Sequence, residues 1–377
     1  MTTERRTEAE APFVIAVESS RLVHDMRGIG RYVRALLPRF VAMRPEVRFV
    51  LFARGPRDVE TIRSMLPAIG VPDDRVEIRP RSQMNATRAD VFWYPWNIAL
   101  PAPRRGVLVA TMHDVAPLAL PDPRWWKTLK NVRWRRRYAD TAKRATLIVT
   151  DSAFSAAEIH RTLGVPRARI RVVLLAADEA RVPDASRDAD AMARLGVRSP
   201  FFLVVGAADR RKNIALVERA WPMVAESHPG VALVLAGPRR GASADAPSWR
   251  QTVGFVSDDD LVSLYRSARA LIAPSSYEGF GLPVLEAMQL GVPVICVRAS
   301  SLPEVGGNAV LYVDADDANG IADAARRLLD DDALHASMSA ASVAQSARFS
   351  WDETARQTLA AFEDAAAIGR GASAGTR

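Results

Sequence analysis

A single cysteine, Cys296, stands in 377 residues. One thiol excludes a disulfide framework and any cysteine-built metal cluster. Its setting, Val292-Pro293-Val294-Ile295-Cys296-Val297, reads as a buried strand in which it is a small core residue. Long apolar runs are also missing: none approaches the ~20 residues needed to span a bilayer. The start, Met1-Thr2-Thr3-Glu4-Arg5-Arg6, does not read as a secretory signal, so a reducing cytoplasm is the default expectation. No His/Asp/Glu cluster suggests a metal, and no Gly-x-Ser-x-Gly or Cys/His pattern suggests a protein nucleophile. Asp258-Asp259-Asp260 and Asp330-Asp331-Asp332 read as helix starts, where carboxylates oppose the positive end of the dipole. Lysine is scarce as well. Only Lys127, Lys130, Lys143 and Lys212 occur among 51 basic residues, so a lysine outside the basic segment carries unusual weight.

What is present is the profile of a soluble globular protein: 49% hydrophobic, 7% aromatic and 25% charged residues. The length suits two domains. The net charge of +8 has one source. Arg124 to Arg144 contains nine basic residues and one acid, Asp140, so the rest of the chain is neutral overall.

Apolar runs alternate with helical stretches along the whole chain. Strands are predicted at 13–17, 47–52, 91–94, 107–111 and 146–150, then again at 201–205, 231–236, 270–273, 292–297 and 310–313. Such runs imply parallel sheets covered on both faces. The polar stretch 178–198 reads as the connection between domains. The expected fold is therefore α/β, with two Rossmann-like, doubly wound domains facing across a cleft at the carboxyl ends of their strands. The expected boundaries are 1–180 for the N-terminal domain and 199–345 for the C-terminal domain. A helix at 346–368 packs back toward the first domain, and 369–377 form a disordered tail.

The stretch Pro274-Ser275-Ser276-Tyr277-Glu278-Gly279-Phe280-Gly281-Leu282-Pro283-Val284-Leu285-Glu286 carries the most chemistry. A strand precedes it and a helix follows, with Pro283 suited to the first helical turn. Bare amides at a helix start favour an anion. Two acids beside them suit hydroxyls, so a phosphate-linked sugar or nucleotide is the natural ligand. Lys212, in Gly206-Ala207-Ala208-Asp209-Arg210-Arg211-Lys212-Asn213, follows the first strand of the second half, and Arg211 with Lys212 could neutralise a diphosphate. Taken alone, that segment reads more readily as a solvated basic turn; paired with the Glu278–Glu286 loop it favours the functional reading. Gly28-Ile29-Gly30 precedes a helix after the first strand, an arrangement shared by many ordinary turns. His113, in Thr111-Met112-His113-Asp114, ends a strand; a lone histidine is commonly structural, but this end of a sheet is where ligands bind. Asp114 reads as a turn or capping residue.

The basic segment reads as a helix with Trp125, Leu129, Val132 and Ala139 on one face. Trp134 and Tyr138 are expected on the outer face with Trp126, Lys127, Lys130, Arg133 and Arg137. That patch suits an anionic membrane surface. A solvated arginine helix or a subunit contact are the plainer readings. Nucleic acid is not expected, because no recognised binding motif accompanies the charge.

The chain resembles glycosyltransferase family four, the retaining GT-B enzymes. The likeness is densest from Gly254 to Val313, in Gly254-Phe255-Val256-Ser257, Leu264-Tyr265, the two glutamates Glu278 and Glu286 with seven residues between them, Gly291-Val292-Pro293-Val294 and Ser300-Ser301-Leu302-Pro303-Glu304-Val305. Phe349-Ser350-Trp351, Gly28-x-Gly30 and Thr111-x-His113-Asp114 add to it. The resemblance implies that Arg211 and Lys212 hold the donor diphosphate and that Glu286 binds the ribose. Glu278 and the amides of Phe280, Gly281 and Leu282 would grip the donor sugar and phosphate. His113 would reach the sugar, and Gly28 and Gly30 would line the cleft. Many members carry arginine where Ala207 stands, so Arg211 or Arg210 must supply that charge here. No cofactor or metal is implied; the nucleotide-sugar is a co-substrate. The expected activity is retaining transfer, best matched to GDP-mannose or a related GDP-sugar, onto a lipid-linked or polysaccharide acceptor in cell-surface glycan synthesis. The expected location is the inner face of the cytoplasmic membrane. A UDP-sugar transferase, a sugar-nucleotide epimerase and a non-catalytic assembly subunit stay open as alternatives.

Overall fold

The computed structural model describes residues 12–25, 28–121, 124, 128–178, 185–206, 209–237 and 246–374. The chain gathers into two compact units. One contains residues 1–151, 155–174 and 351–377; the other contains 152–154 and 175–350.

The first unit is built on seven strands: β1 (Val14–Glu18), β2 (Arg48–Ala53), β3 (Val76–Pro80), β4 (Val91–Tyr94), β5 (Leu108–Thr111), β6 (Leu147–Thr150) and β7 (Ile170–Val172). They pair in parallel in the order β3-β2-β1-β4-β5-β6-β7. The second unit has β8 (Phe201–Val205), β9 (Ala232–Ala236), β10 (Arg250–Gly254), β11 (Ala270–Ala273), β12 (Val294–Val297) and β13 (Leu311–Val313), also parallel, in the order β10-β9-β8-β11-β12-β13. Both sheets reverse direction of growth once, between β1 and β4 and between β8 and β11. Loops leaving the strands at such a reversal diverge and leave room for a ligand.

Every strand predicted from an apolar run is present. β3 and β10 have no such run, and both lie at sheet edges; β7, the other strand not expected, is also an edge and leads into the apolar residues Val172-Val173-Leu174-Leu175. An edge strand is half-covered, so sequences such as Val76-Glu-Ile-Arg-Pro80 and Arg250-Gln-Thr-Val-Gly254 keep polar side chains and lose the apolar signal.

Three expectations are corrected. The 178–198 stretch is not simply a connection, because Ala185–Leu195 is a helix of the second unit. Its polar residues face partners on helix Asp258–Ser267: Asp188 forms a bidentate pair with Arg266 (2.6 and 2.8 Å), and Arg187 and Arg194 pair with Asp259 and Asp260. The last helix runs from Trp351 to Ala374, beyond the start of the expected disordered tail. Gly369 explains the extension: a Cβ there would lie 2.2 Å from Val107 Cγ2, so the helix is packed against the first unit where a tail was expected.

The third correction concerns helix Thr128–Arg144. Tyr138 is buried and Trp134 half-buried, packed with Ala142 and Ala145 into the core of the first unit, whereas Leu129 is 80% exposed and Val132 42% exposed. The two aromatics expected on the outer face point in, while Lys130 and Arg133 are exposed as expected. Residues 134, 138, 141, 142 and 145 also follow helical spacing, and the two aromatics bury more apolar area than Leu129 and Val132 would. Trp126 and Lys127, with Trp125, lie outside the described residues.

Among the described residues no helix is long and apolar enough to cross a membrane. Cys296 is a core residue of β12, and burial pushes its thiol up to about 12.

Candidate active site

In the second unit, the functional side chains leave β8 and β11, the neighbouring strands at the sheet reversal. After β8 the chain turns through Gly206, whose φ is +86°; a Cβ there would lie 3.0 Å from Lys212 Cε. Glycine thus provides both the backbone conformation and the space that lets Lys212 fold back over the strand end. Asp209 caps the 3-10 turn Arg210–Lys212 by accepting from the Arg211 amide at 3.0 Å. Asn213, with φ +46°, makes the left-handed step into helix Ile214–Ser227, a role asparagine fills more easily than most residues.

Lys212 Nζ donates to Glu278 Oε1 at 2.7 Å, and both side chains are largely buried. The two loops are further joined by Ser276, whose amide donates to the Arg211 carbonyl at 2.8 Å. Glu286 accepts from the Tyr265 hydroxyl at 3.0 Å. Sequence reasoning quoted Tyr265 only as part of a resemblance; its position on a separate helix gave no sign of this contact. Gly281, φ +111°, precedes helix Leu282–Gln289, with Pro283 in its first turn as expected. A Cβ on Gly281 would lie 2.8 Å from Leu302 Cδ2.

The Arg211 guanidinium rests on Asp209, with Nε at 3.0 Å and Nη2 at 2.8 Å from Oδ2. Burial pushes the Asp209 carboxyl up, but Arg211 outweighs it and the carboxyl titrates below its ordinary range. Arg210 is exposed and forms no ion pair among the described residues. Ala207 lies outside them.

In the first unit, three adjacent strands deliver a second cluster. Asn97 follows β4, His113 follows β5 and Asp151 follows β6. His113 Nδ1 lies 2.7 Å from Asp151 Oδ2, so the ring donates from Nδ1 and Asp151 sets its orientation. The His113 amide donates to Asn97 Oδ1 at 2.7 Å, and Asn97 Nδ2 donates to the Tyr138 hydroxyl at 2.9 Å. Tyr138 therefore supports the histidine from below. Tyr32 stacks edge-on against the His113 ring at 5.4 Å. Burial works against the imidazolium, yet the charge and hydrogen bond of Asp151 and the Pro95 carbonyl prevail, raising the His113 pKa above its ordinary value. Asp114 acts as a turn cap, accepting from the Ala116 amide at 3.0 Å.

Gly28 and Gly30 begin helix Ile29–Met43. The Asp25 carboxylate takes the Gly28 amide at 2.7 Å and the Ile29 amide at 3.3 Å. Position 30 must be glycine for packing alone, since a Cβ would fall 1.9 Å from the Asp25 carbonyl oxygen.

The two halves of the chain match different family models. Residues 26–181 match "Glycosyltransferase Family 4" and residues 193–344 match "Glycosyl transferases group 1". The O-antigen chain mannosyltransferase B of Escherichia coli is 32% identical over 302 residues, covering 76% of this chain and 78% of the relative. The chain belongs to glycosyltransferase family four. It is a retaining glycosyltransferase with the GT-B architecture. A serotype-specific mannosyltransferase of E. coli, WbdA, is 30% identical over 276 residues, 67% of this chain but 33% of WbdA. Among solved structures, the Anabaena protein HepE in complex with UDP and glucose superposes with a TM-score of 0.68 over 93% of this chain and 99% of that one, at 17% identity. That likeness is one of fold.

Proposed function

We propose that this glycosyltransferase moves mannose, or a related sugar, from a GDP-sugar to a lipid-linked or polysaccharide acceptor of a cell-surface glycan. The observation that carries the donor site is the buried Lys212–Glu278 pair, at 2.7 Å, on loops leaving neighbouring strands at a sheet reversal. Lys212, with Arg211 or Arg210, neutralises the departing diphosphate; charge stabilisation of that kind is the largest need of the reaction. Glu286 binds the ribose hydroxyls in the orientation that Tyr265 sets. Glu278 and the amides of Phe280, Gly281 and Leu282 hold the donor sugar and its phosphate. His113, kept in one tautomer by Asp151, serves the sugar. Gly28 and Gly30 line the acceptor side. With no general base assigned among the described residues, the leaving phosphate itself accepts the acceptor's proton. The GDP-mannose reading is supported by the mannosyltransferase relatives.

The exposed side of helix 128–144 carries Leu129 and Val132 among Lys130, Arg133, Arg135, Arg136 and Lys143. Apolar side chains within a basic face suit the headgroup region of an anionic membrane. The enzyme then works as a peripheral protein on the inner face of the cytoplasmic membrane, where a lipid-linked acceptor resides.

Titration calorimetry tests the donor site. Lys212→Ala and Glu286→Ala should each weaken nucleoside diphosphate binding by at least about tenfold, the scale of a lost charge-assisted hydrogen bond. GDP should raise the melting temperature more than UDP at equal concentration, since stabilisation follows affinity. Unchanged binding in both variants would end the site assignment, and a larger shift with UDP would end the GDP reading.

A further inference from the structure

Three successive carbonyls of the loop after β11 end on serine hydroxyls. Ser301 Oγ lies 3.0 Å from the Glu278 carbonyl oxygen and 2.8 Å from that of Phe280, so its one proton is shared between them. Between these two, the Gly279 carbonyl accepts from Ser152 Oγ at 2.6 Å. Ser152 belongs to the same unit, through the short segment 152–154. That segment is itself anchored: the Glu304 carboxylate accepts from the amides of Ala153 and Phe154 at 2.7 and 2.8 Å, and the Phe154 ring meets Tyr277 edge-on at 5.3 Å. A further serine holds the loop's entry, with the Glu278 amide donating to Ser300 Oγ at 2.9 Å. Ser300 adopts φ +53°, a left-handed conformation that serine rarely takes without compensation.

These bonds have a directional consequence. The cis peptides among the described residues are Leu100-Pro101 and Ser199-Pro200, so the loop's peptides are trans. In a trans peptide the N–H points opposite to the C=O. Tying these carbonyls to serines turns the amides of Gly279 and Gly281 away from Ser301 and that of Phe280 away from Ser152. Among the described residues, the Phe280 and Gly281 amides donate to no other group of the chain. Along the loop they stand between Glu286, assigned above to the ribose, and Glu278, assigned to the sugar.

We propose that Ser301 and Ser152 are positioning residues. Their hydroxyls lock the peptide planes so that the Phe280 and Gly281 amides converge on the sugar-bearing phosphate of the donor. This rests on the donor-site reading above. The locking matters energetically because fixed dipoles need no reorganisation as charge develops on the leaving phosphate.

The test compares ligands with and without that phosphate, GDP and GMP, by calorimetry on the full chain. Ser301→Ala should bind GDP about tenfold more weakly, the scale of one oriented hydrogen bond to a charged group, while its GMP affinity stays at the wild-type value. Ser152→Ala should show the same split, and Ser152→Thr, which keeps a hydroxyl, should restore GDP binding. If UDP is the tighter ligand, UDP and UMP serve as the same pair. Wild-type GDP affinity in both alanine variants overturns the proposal. So does an equal loss of GDP and GMP affinity with a lowered melting temperature, which marks a merely structural role. If Ser301→Ala fails to fold, the Ser152 pair decides alone. Failure of the wild-type chain to bind either diphosphate removes the donor-site reading itself and the positioning role with it, an outcome distinct from loss of the split alone.

Discussion

His113 sits between the Asp151 carboxylate at 2.7 Å and the Pro95 carbonyl at 3.4 Å, and this setting raises its pKa. The sign of the consequence follows from linkage. A histidine whose folded pKa is above its unfolded value of ~6.5 adds stability that is fully present below that value and is lost as pH rises through the folded pKa. Asp151→Asn removes the attracting charge and leaves the burial, so the His113 pKa should fall below its ordinary value. Proton NMR of the ring should show the midpoint moving from above ~6.5 to below it. The stability gap between the wild type and Asp151→Asn should be widest at acid pH and narrow as the wild-type histidine deprotonates. An unmoved midpoint would mean that Asp151 does not control the ring. His113 was legible in the sequence as a polar residue at a strand end. Asp151 was not, because the hydrogen bond joins residues 38 apart through the β5–β6 pairing. The same holds for Tyr265 and Glu286, joined across two helices.

At the scale of elements, helix 128–144 shows how composition and facing separate. Its charge and helical character were legible from the basic run; which side it buries was decided by Tyr138 reaching Asn97 and by the apolar packing around Trp134. Two variants divide its roles. Arg133→Glu with Arg136→Glu should reduce sedimentation with anionic vesicles by at least about tenfold, given ~1 kcal/mol per basic residue at such a surface. Tyr138→Phe should leave vesicle binding unchanged and lower turnover about two- to tenfold, the worth of one hydrogen bond behind His113. Equal binding of the double variant to neutral and anionic vesicles at the wild-type level would defeat the membrane role. Helix 185–195 teaches a related lesson. Its Asp and Arg residues look like linker composition, yet they match opposite charges on helix 258–267, and Ala191 and Met192 are buried beneath them.

For the whole molecule, the last helix makes a long-range contact that closes a core. Phe362 is fully buried, 5.4 Å from the Trp93 ring and 5.8 Å from Phe40, so residues at the chain's end complete the core of the first unit. Phe362→Ala should cost about 3–5 kcal/mol of unfolding free energy, the usual range for a buried aromatic, read by urea titration. A loss under ~1 kcal/mol would show that this helix packs loosely.

The sequence by itself determined what is local: the alternation of buried strands and helices, the proline in the first turn of helix 282–289, and the acidic and glycine residues of the loop from Pro274 to Glu286. Apolar runs and turn chemistry act over a few residues, so they are written where they act. Only the tertiary structure decided which strands became half-covered edges, which face of the basic helix turned inward, and which unit the last helix completed. It also decided which partners orient His113, Glu286 and the carbonyls of residues 278–280. These depend on groups far apart in the chain meeting in space, and neither spacing nor composition records a hydrogen bond before the chain has folded.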